Sequence, residues 1–447
     1  MHRFRLLLVL LVALALAAGA CGGDGSTSPA TKAAPTTTAA PTTTAAPTTT
    51  AAPTTTTTTL PPPDWDGIVG DVAEAWLAEG TPVTPGVTIA VLLPDGTEVL
   101  VARGFADLVA EVPVTTDDYF RIGSISKTIT SIAVLQLVGE GLVDLDEPVE
   151  SYVPGLLDGY VIDGVDHGDA VTVRQVLDHT DGFAEYAFDL GFYLEASLRL
   201  EQDFDPLEIV DWGIRQGPQY VPGTAYAYNT VGHNVAGLVI EAVTGRPAHE
   251  VLRAQIYEPL GLEAIFLPPG EEPPVPVVHM YAATVLKAAL DGIPATADYA
   301  EAGAVGDDLY DVSVVPQAAI RSAGWTGGSI EAQVVDVARI FRGAFDGTLL
   351  GPKMVEEFLT TSEFSNYGLG ISVGEADVNT LGDSVETAEG VVSYSHGGGV
   401  PGFRSHAAYL PEHGIAMAMS TNVLPADPDI GELADRILSA ILAEGGG

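Results

Sequence analysis

Apolar residues fall along this chain in two periods. Ile68 to Leu77 carries helical spacing, and two alternating runs follow, Val87 to Leu93 and Glu98 to Gly104. Pro94-Asp95-Gly96 lies between the runs, which is the turn chemistry of a β-hairpin. From Ser126 to Leu142 the pattern returns to helical spacing through Ile129, Ile132, Ala133, Leu135, Leu137 and Val138, and Gly139 and Gly141 end it. The middle of the chain, to about residue 345, mixes helical segments with long Gly- and Pro-rich loops. Alternation reappears over Gly368 to Val373, Val391 to Ser395, Ser405 to Leu410 and Ile415 to Ser420, the last two joined across Pro411-Glu412-His413-Gly414. A final amphipathic stretch runs from Ile430 to Leu442. Strands near both ends with helices between them predict an α/β (α+β) body. One antiparallel sheet is built from both chain ends and flanked by helices, with a mostly helical inserted subdomain. A catalytic cleft is expected between sheet and insertion.

The residues before this body read differently. Arg3 and Arg5 precede an apolar run from Leu6 to Ala18, too short to span a bilayer comfortably, so residues 1–20 are expected to be an export signal. Ala18-Gly19-Ala20 then meets Cys21, the only cysteine. Two processing routes fit. Ala18-x-Ala20 suits ordinary signal peptidase, whereas small residues before a lone cysteine resemble a bacterial lipobox, with Cys21 as the lipid attachment site. A lone thiol cannot close an internal disulfide, and lipidation accounts for it. Residues 27–63 repeat Ala, Pro and Thr with no apolar face, so the tract 21–63 is expected to be a disordered linker. Stiffened by proline, it reaches on the order of 100 Å at about 3.1 Å per residue. The folded body is expected over 64–447. The protein is expected to be exported, on the cell surface if Cys21 is acylated and secreted if it is not.

Composition narrows the partners. Of 447 residues, 60 are Asp or Glu against 18 Lys or Arg, a net charge of −42. Such a surface repels nucleic acid and anionic head groups, so no nucleic-acid partner is expected, and membrane contact only through Cys21. A small-molecule or peptide substrate remains. The charge reads first as a solubility adaptation, with recruitment of cationic substrates as the alternative. His167, His233, His249 and His406 show no metal-ligand spacing, and neither a Cys-x-x-Cys pair nor a Gly-rich phosphate cradle occurs, so no metal or other cofactor is expected.

Lysine is scarce, at Lys32, Lys127, Lys287 and Lys353 only. Ser124-Ile125-Ser126-Lys127 therefore stands out. A serine hydroxyl attacks a carbonyl only when something takes its proton. A lysine three residues later on a helix lies on the same face, one turn along. Its amine can take that proton if burial or nearby positive charge lowers its pKa from about 10.4 toward neutrality. A serine in the first helical turn also places a free backbone N–H and the helix dipole near a developing oxyanion.

Phe120 to Lys127, Leu135 to Glu140 and Leu142-Val143-Asp144-Leu145-Asp146 together resemble the nucleophile helix of class C β-lactamases, D-alanyl-D-alanine carboxypeptidases and related esterases, the serine β-lactamase-like and penicillin-binding-protein-like family. Further blocks agree in order: Val171 to Leu177 with His179-Thr180-Asp181-Gly182, Val221-Pro222-Gly223-Thr224, Glu258-Pro259-Leu260-Gly261, Tyr367-Gly368-Leu369-Gly370 and His396-Gly397-Gly398-Gly399-Val400-Pro401-Gly402-Phe403. The resemblance covers about residues 66 to 443.

The resemblance implies a β-lactamase/transpeptidase-like fold and three motifs around one cleft. Ser124 is the acylated nucleophile and Lys127 its base or the base's partner. Tyr228 matches the tyrosine that shuttles protons, a role in which two cationic neighbours depress the phenol's pKa. Thr230 stands where asparagine is usual, and Asn229 is one residue out of register. His396-Gly397-Gly398 takes the place of Lys-Thr-Gly or His-Thr-Gly on an inner strand. His396 is expected to hold positive charge near Tyr228, and Gly399 to offer an oxyanion N–H beside that of Ser124. Thr230, Gly397 and Gly398 are the candidate substrate-binding positions. Gly397 lacks the hydroxyl that helps relatives bind a substrate carboxylate, so a neutral ester or amide is expected to suit the cleft better than a β-lactam. Trp325-Thr326-Gly327-Gly328 resembles a cleft-lining loop, and His179 is expected to cap helix carbonyls. The expected activity is that of an exported serine esterase or amidase. The alternatives are a D-alanyl-D-alanine carboxypeptidase or β-lactamase using the same residues, and a non-catalytic surface binding lipoprotein of the same fold.

Overall fold

The computed structural model describes residues 63–445 apart from 82, 284–298, 300–301, 308 and 376–390. The expected export signal, Cys21 and all but the last residue of the expected linker tract lie outside the described residues.

Helix α1 (Trp65–Glu79) leads into the hairpin of β1 (Gly86–Leu92) and β2 (Glu98–Asp107). Asp95 closes its turn by accepting the Thr97 N–H at 2.9 Å, and Gly96 holds φ at +91°, where a side chain would strain. A short β3 (Val112–Pro113) flanks β2. The insertion then supplies α2 (Ile125–Gly139), α3 (Val173–Asp178), α4 (Val231–Thr244) and α5 (Val334–Phe345), among other helices. The chain returns as β4 (Ser372–Glu375), β5 (Val392–Val400), β6 (Phe403–Leu410), β7 (Ile415–Thr421) and α6 (Ile430–Gly445).

The strands form one sheet in the order β4-β5-β6-β7-β1-β2-β3, antiparallel at each of these pairings. β7 pairs with β1 from Val87↔Thr421 to Leu92↔Ala416, which joins the two halves of the sheet at its centre. Side-chain size separates its faces. Ile415, Met417 and Met419 of β7 pack with Trp76 of α1 and Leu433, Ile437 and Ile441 of α6. Ala416 and Ala418 point the other way into the larger core, where short side chains let α5 lie close to the strands.

Helix α2 is buried on nearly every side, so its polar residues find partners inside. Thr128 Oγ1 donates to Gly370 O, Thr130 Oγ1 to Thr326 O and Ser126 Oγ to Gly123 O, each at 2.7 Å. Ser131 Oγ lies 3.2 Å from His233 Nε2 on α4. The strand expected from Gly368 begins later, at Ser372. Gly370 turns against α2 at φ +91°, with Ser131 Oγ 2.1 Å from where a Cβ would stand.

Just before α2, Phe120–Arg121 pairs antiparallel with Glu331–Ala332, and Arg121 Nε meets Glu331 Oε1 at 3.0 Å with both side chains 4% exposed. Removing one partner strands a buried charge. Glu331→Ala is expected to cost about 3–5 kcal/mol in unfolding free energy, measured by denaturant titration.

Candidate active site

Glycines build the turn that carries Ser124. The serine stands at the amino-terminal cap of α2, partly exposed, after Gly123 at φ +54°. Strand β5 runs close beside it. A Cβ on Gly398 would lie 1.9 Å from Ile122 O and 3.3 Å from Ser124 N, and one on Gly123 would lie 2.7 Å from Gly399 N. Only bare backbone fits there. The backbone nitrogens of Ser124 and Gly399 therefore border the same narrow gap.

Lys127 is completely buried, with Nζ 3.1 Å from Ser124 Oγ, 3.4 Å from Thr230 Oγ1 and 2.8 Å from Gly327 O. An uncharged amine has two N–H donors and one lone pair. The Gly327 carbonyl can only accept and the Thr230 hydroxyl also accepts, which leaves the lone pair for the Ser124 O–H. Burial lowers the Lys127 pKa to about 8, with Glu185 pulling the other way. At pH 7 roughly a tenth of such lysines are uncharged.

The carbonyl on Lys127 is itself held. Asn234 Oδ1 accepts the Gly327 N–H at 2.9 Å, and Thr326 Oγ1 donates to His233 O at 2.9 Å, so α4 fixes the turn at Trp325–Gly327. The loop resembling a cleft wall thus contributes a backbone oxygen.

Tyr228 is half-buried, its ring centroid 4.9 Å from Lys127 Nζ and its hydroxyl in a polar contact with Ser124. The expected depression of its pKa is not found. Burial raises the phenol above its ordinary value, and the contact with Ser124 offsets this only in part. The expected positive charge on His396 is also absent. Burial first, and then the neighbouring Lys127, push His396 down to about 3, so the ring is neutral. Its Nδ1 lies 2.6 Å from Gly397 O, which can only accept, so Nδ1 carries the hydrogen and Nε2 accepts the Tyr367 O–H at 2.8 Å.

Asn229 turns away from the cleft. Its Nδ2 donates to Asp181 Oδ1 and Oδ2 at 3.0 and 3.2 Å, and its Oδ1 accepts the Gly232 N–H at 2.8 Å. Thr230, in the asparagine's place, meets Lys127 instead. His179 caps α3 through its backbone, whose N–H reaches Gln175 O at the left-handed φ of +62°. The expected cap is thus made by the main chain, and the ring serves elsewhere. Nδ1 accepts the Asn229 N–H at 3.4 Å, and the ring lies 4.4 Å from that of Tyr228. Both residues hold the segment that presents Tyr228.

The structure therefore gathers Ser124, Lys127, Tyr228 and Thr230, with His396, Gly397, Gly398 and Gly399 lining the strand beside them. Motif reading missed Asn234, Tyr367 and Glu185, and placed Gly327 in a cleft-lining loop without its carbonyl contact to Lys127. Tyr367 lay within a family block, but nothing in that block points to an imidazole partner. Among the described residues, no group of three or more His, Cys, Asp or Glu is placed to hold a metal ion.

Known proteins share this architecture. A sequence model of the family described as Beta-lactamase matches residues 74–442. Penicillin-binding protein 4 of Amycolatopsis lactamdurans is 28% identical over 352 residues, 76% of this chain and 81% of that one. A solved D-stereospecific amidohydrolase from Streptomyces sp. matches with a TM-score of 0.66 at 26% identity, over 85% of this chain and 98% of that one. A D-amino acid amidase from Ochrobactrum anthropi SV3, complexed with L-phenylalanine, matches at 0.67 and 25% identity, over 84% and 98%. Matched along most of its length, this chain belongs to the beta-lactamase family and is a serine hydrolase of that family.

Proposed function

We propose that this chain is an exported hydrolase that forms an acyl-enzyme on Ser124 and cleaves small esters or amides. The observation that carries this reading is the contact set of Lys127, whose two acceptor partners leave its lone pair for the serine. Ser124 Oγ bonds to the substrate carbonyl carbon as its proton passes to Lys127 Nζ. The N–H groups of Ser124 and Gly399 hold the oxyanion, each such donor contributing about 3 kcal/mol. Tyr228 stays protonated near neutral pH, so it acts as a proton donor. Its O–H protonates the leaving alcohol or amine and regains a proton from Lys127. Water then adds to the acyl carbon, and Ser124 leaves with its proton restored.

The same residues would serve a D,D-carboxypeptidase or β-lactamase. Gly397 has no hydroxyl for a substrate carboxylate, which favours esters and amides. Two relatives named as amidohydrolase and amidase support the amide. Turnover of penicillin is expected to be far slower than that of short p-nitrophenyl esters, and comparable steady-state rates would overturn this preference.

A fluorophosphonate probe tests the hydrolase reading. Labelling is expected in the native protein and absent from Ser124→Ala, whereas an unlabelled native protein would favour a binding module. Export rests on the leader over residues 1–20, and anchorage on Cys21. Incorporation of an alkyne fatty acid that disappears in Cys21→Ser is the expected sign of lipidation.

A further inference from the structure

Glu185 was not part of any motif, and the mechanism above does not use it. It stands at the amino-terminal cap of the turn Tyr186–Phe188, with Oε1 accepting the Ala187 N–H at 2.8 Å. It is only partly buried, like Ser124 and Tyr228. The hydroxyl and backbone N–H of Thr230 face its carboxylate, and its field acts on both Lys127 and Tyr228. It therefore reaches the reacting serine through Thr230, which meets Lys127, and Lys127, which meets Ser124.

Among the described residues, no Lys, Arg or His stands in a salt bridge with Glu185, so the charge that acts on it most is that of protonated Lys127, which disappears when the amine is uncharged to act as the base. Arg404, whose field reaches Tyr228, is committed to Asp429 at 2.8 Å. Burial raises the Glu185 carboxyl, while Lys127 and Thr230 pull it back. A cation arriving in the cleft would favour the charged form in the same way. On β5, Gly397, Gly398 and Gly399 have no side chain to offer a substrate carboxylate.

We infer that Glu185, held by Thr230 and the Ala187 N–H, is a specificity residue that receives the ammonium group of the substrate's acyl part. The substrates this cleft selects are then amides or esters of amino acids or peptides with a free amine near the scissile carbonyl and no required carboxylate. The net charge of −42 favours approach of the same cations. This inference rests on the acyl-enzyme reading and adds a substrate class to it.

The test measures how substrates slow fluorophosphonate labelling of Ser124, which reports binding with or without turnover. D-phenylalanine amide and its N-acetyl derivative are compared in the native protein and in Glu185→Gln. The native protein is expected to bind the free amine about tenfold or more tightly than the acetylated form. In Glu185→Gln that preference should vanish through loss of free-amine binding alone, with protection by the N-acetyl amide unchanged. Each protein's labelling rate without amide is its own reference, since loss of the Glu185 charge also lowers the Lys127 pKa. No preference in the native protein overturns the inference, as does failure of the free-amine amide to protect. Equal weakening of both would assign Glu185 to positioning Thr230 and Lys127 instead and overturn the inference. Labelling itself reports the hydrolase reading separately, and a melting curve shows whether the variant is folded.

Discussion

Replacing Lys127 by methionine is expected to lower kcat/KM for any ester substrate by about 10²–10⁴-fold, the range for losing a general base. Methionine matches the length of the lysine stem and leaves the pocket filled. It cannot take the Ser124 proton, and it leaves Gly327 O without its donor. The orphaned carbonyl costs about 1–3 kcal/mol, so the variant should remain folded. Arginine is not a conservative replacement, since it stays charged and offers no lone pair. Steady-state kinetics beside a melting curve separate the two losses. A variant with near-native kcat/KM would remove lysine from the chemistry.

The second large effect is expected at Gly398. An added Cβ there meets Ile122 O at 1.9 Å, a distance that backbone on both sides must open. That opening moves the turn bearing Ser124 relative to Gly399. Displacements of about 1 Å cost around 10² in rate, and a misplaced oxyanion donor costs about 10²–10³. Gly398→Ala is therefore expected to lose at least about 10² in kcat, together with thermal stability. Gly399→Ala is the control, because a Cβ at 399 finds no neighbour nearer than 4.0 Å and should leave the melting temperature nearly unchanged. Equal activity in Gly398→Ala and native protein would contradict the close-approach account.

Much of this was legible because it is local. The hairpin around Pro94-Asp95-Gly96 and the helix after Ser124 follow from short-range spacing. The joining of β1 to β7 followed from strand patterns at both ends of the chain. Ser124 and Lys127 share a helix, so their contact needs only one turn of geometry. What was illegible arises between distant segments. Gly327 reaches Lys127 through its carbonyl, an atom every residue has. Glu185 belongs to the cleft only because its turn folds back against the start of α4. The charge states of Tyr228 and His396 were misjudged for a related reason. Sequence shows which groups are near in order, whereas burial depends on everything packed around them: at Tyr228 burial outweighs the contact with Ser124, and at His396 burial and the charge of Lys127 push the same way.

The central claim is that an uncharged Lys127 amine activates Ser124. Its pKa of about 8 sets the pH at which that form appears. Because the base acts when deprotonated, reactivity is expected to rise about tenfold per pH unit below that value and level off above it. The direct measurement is the second-order rate of fluorophosphonate labelling at Ser124 across pH 5.5 to about 10. The account predicts a single rising limb with its midpoint near 8 in the native protein, and slow, pH-independent labelling in Lys127→Met. A limb that persists unchanged in Lys127→Met would contradict it.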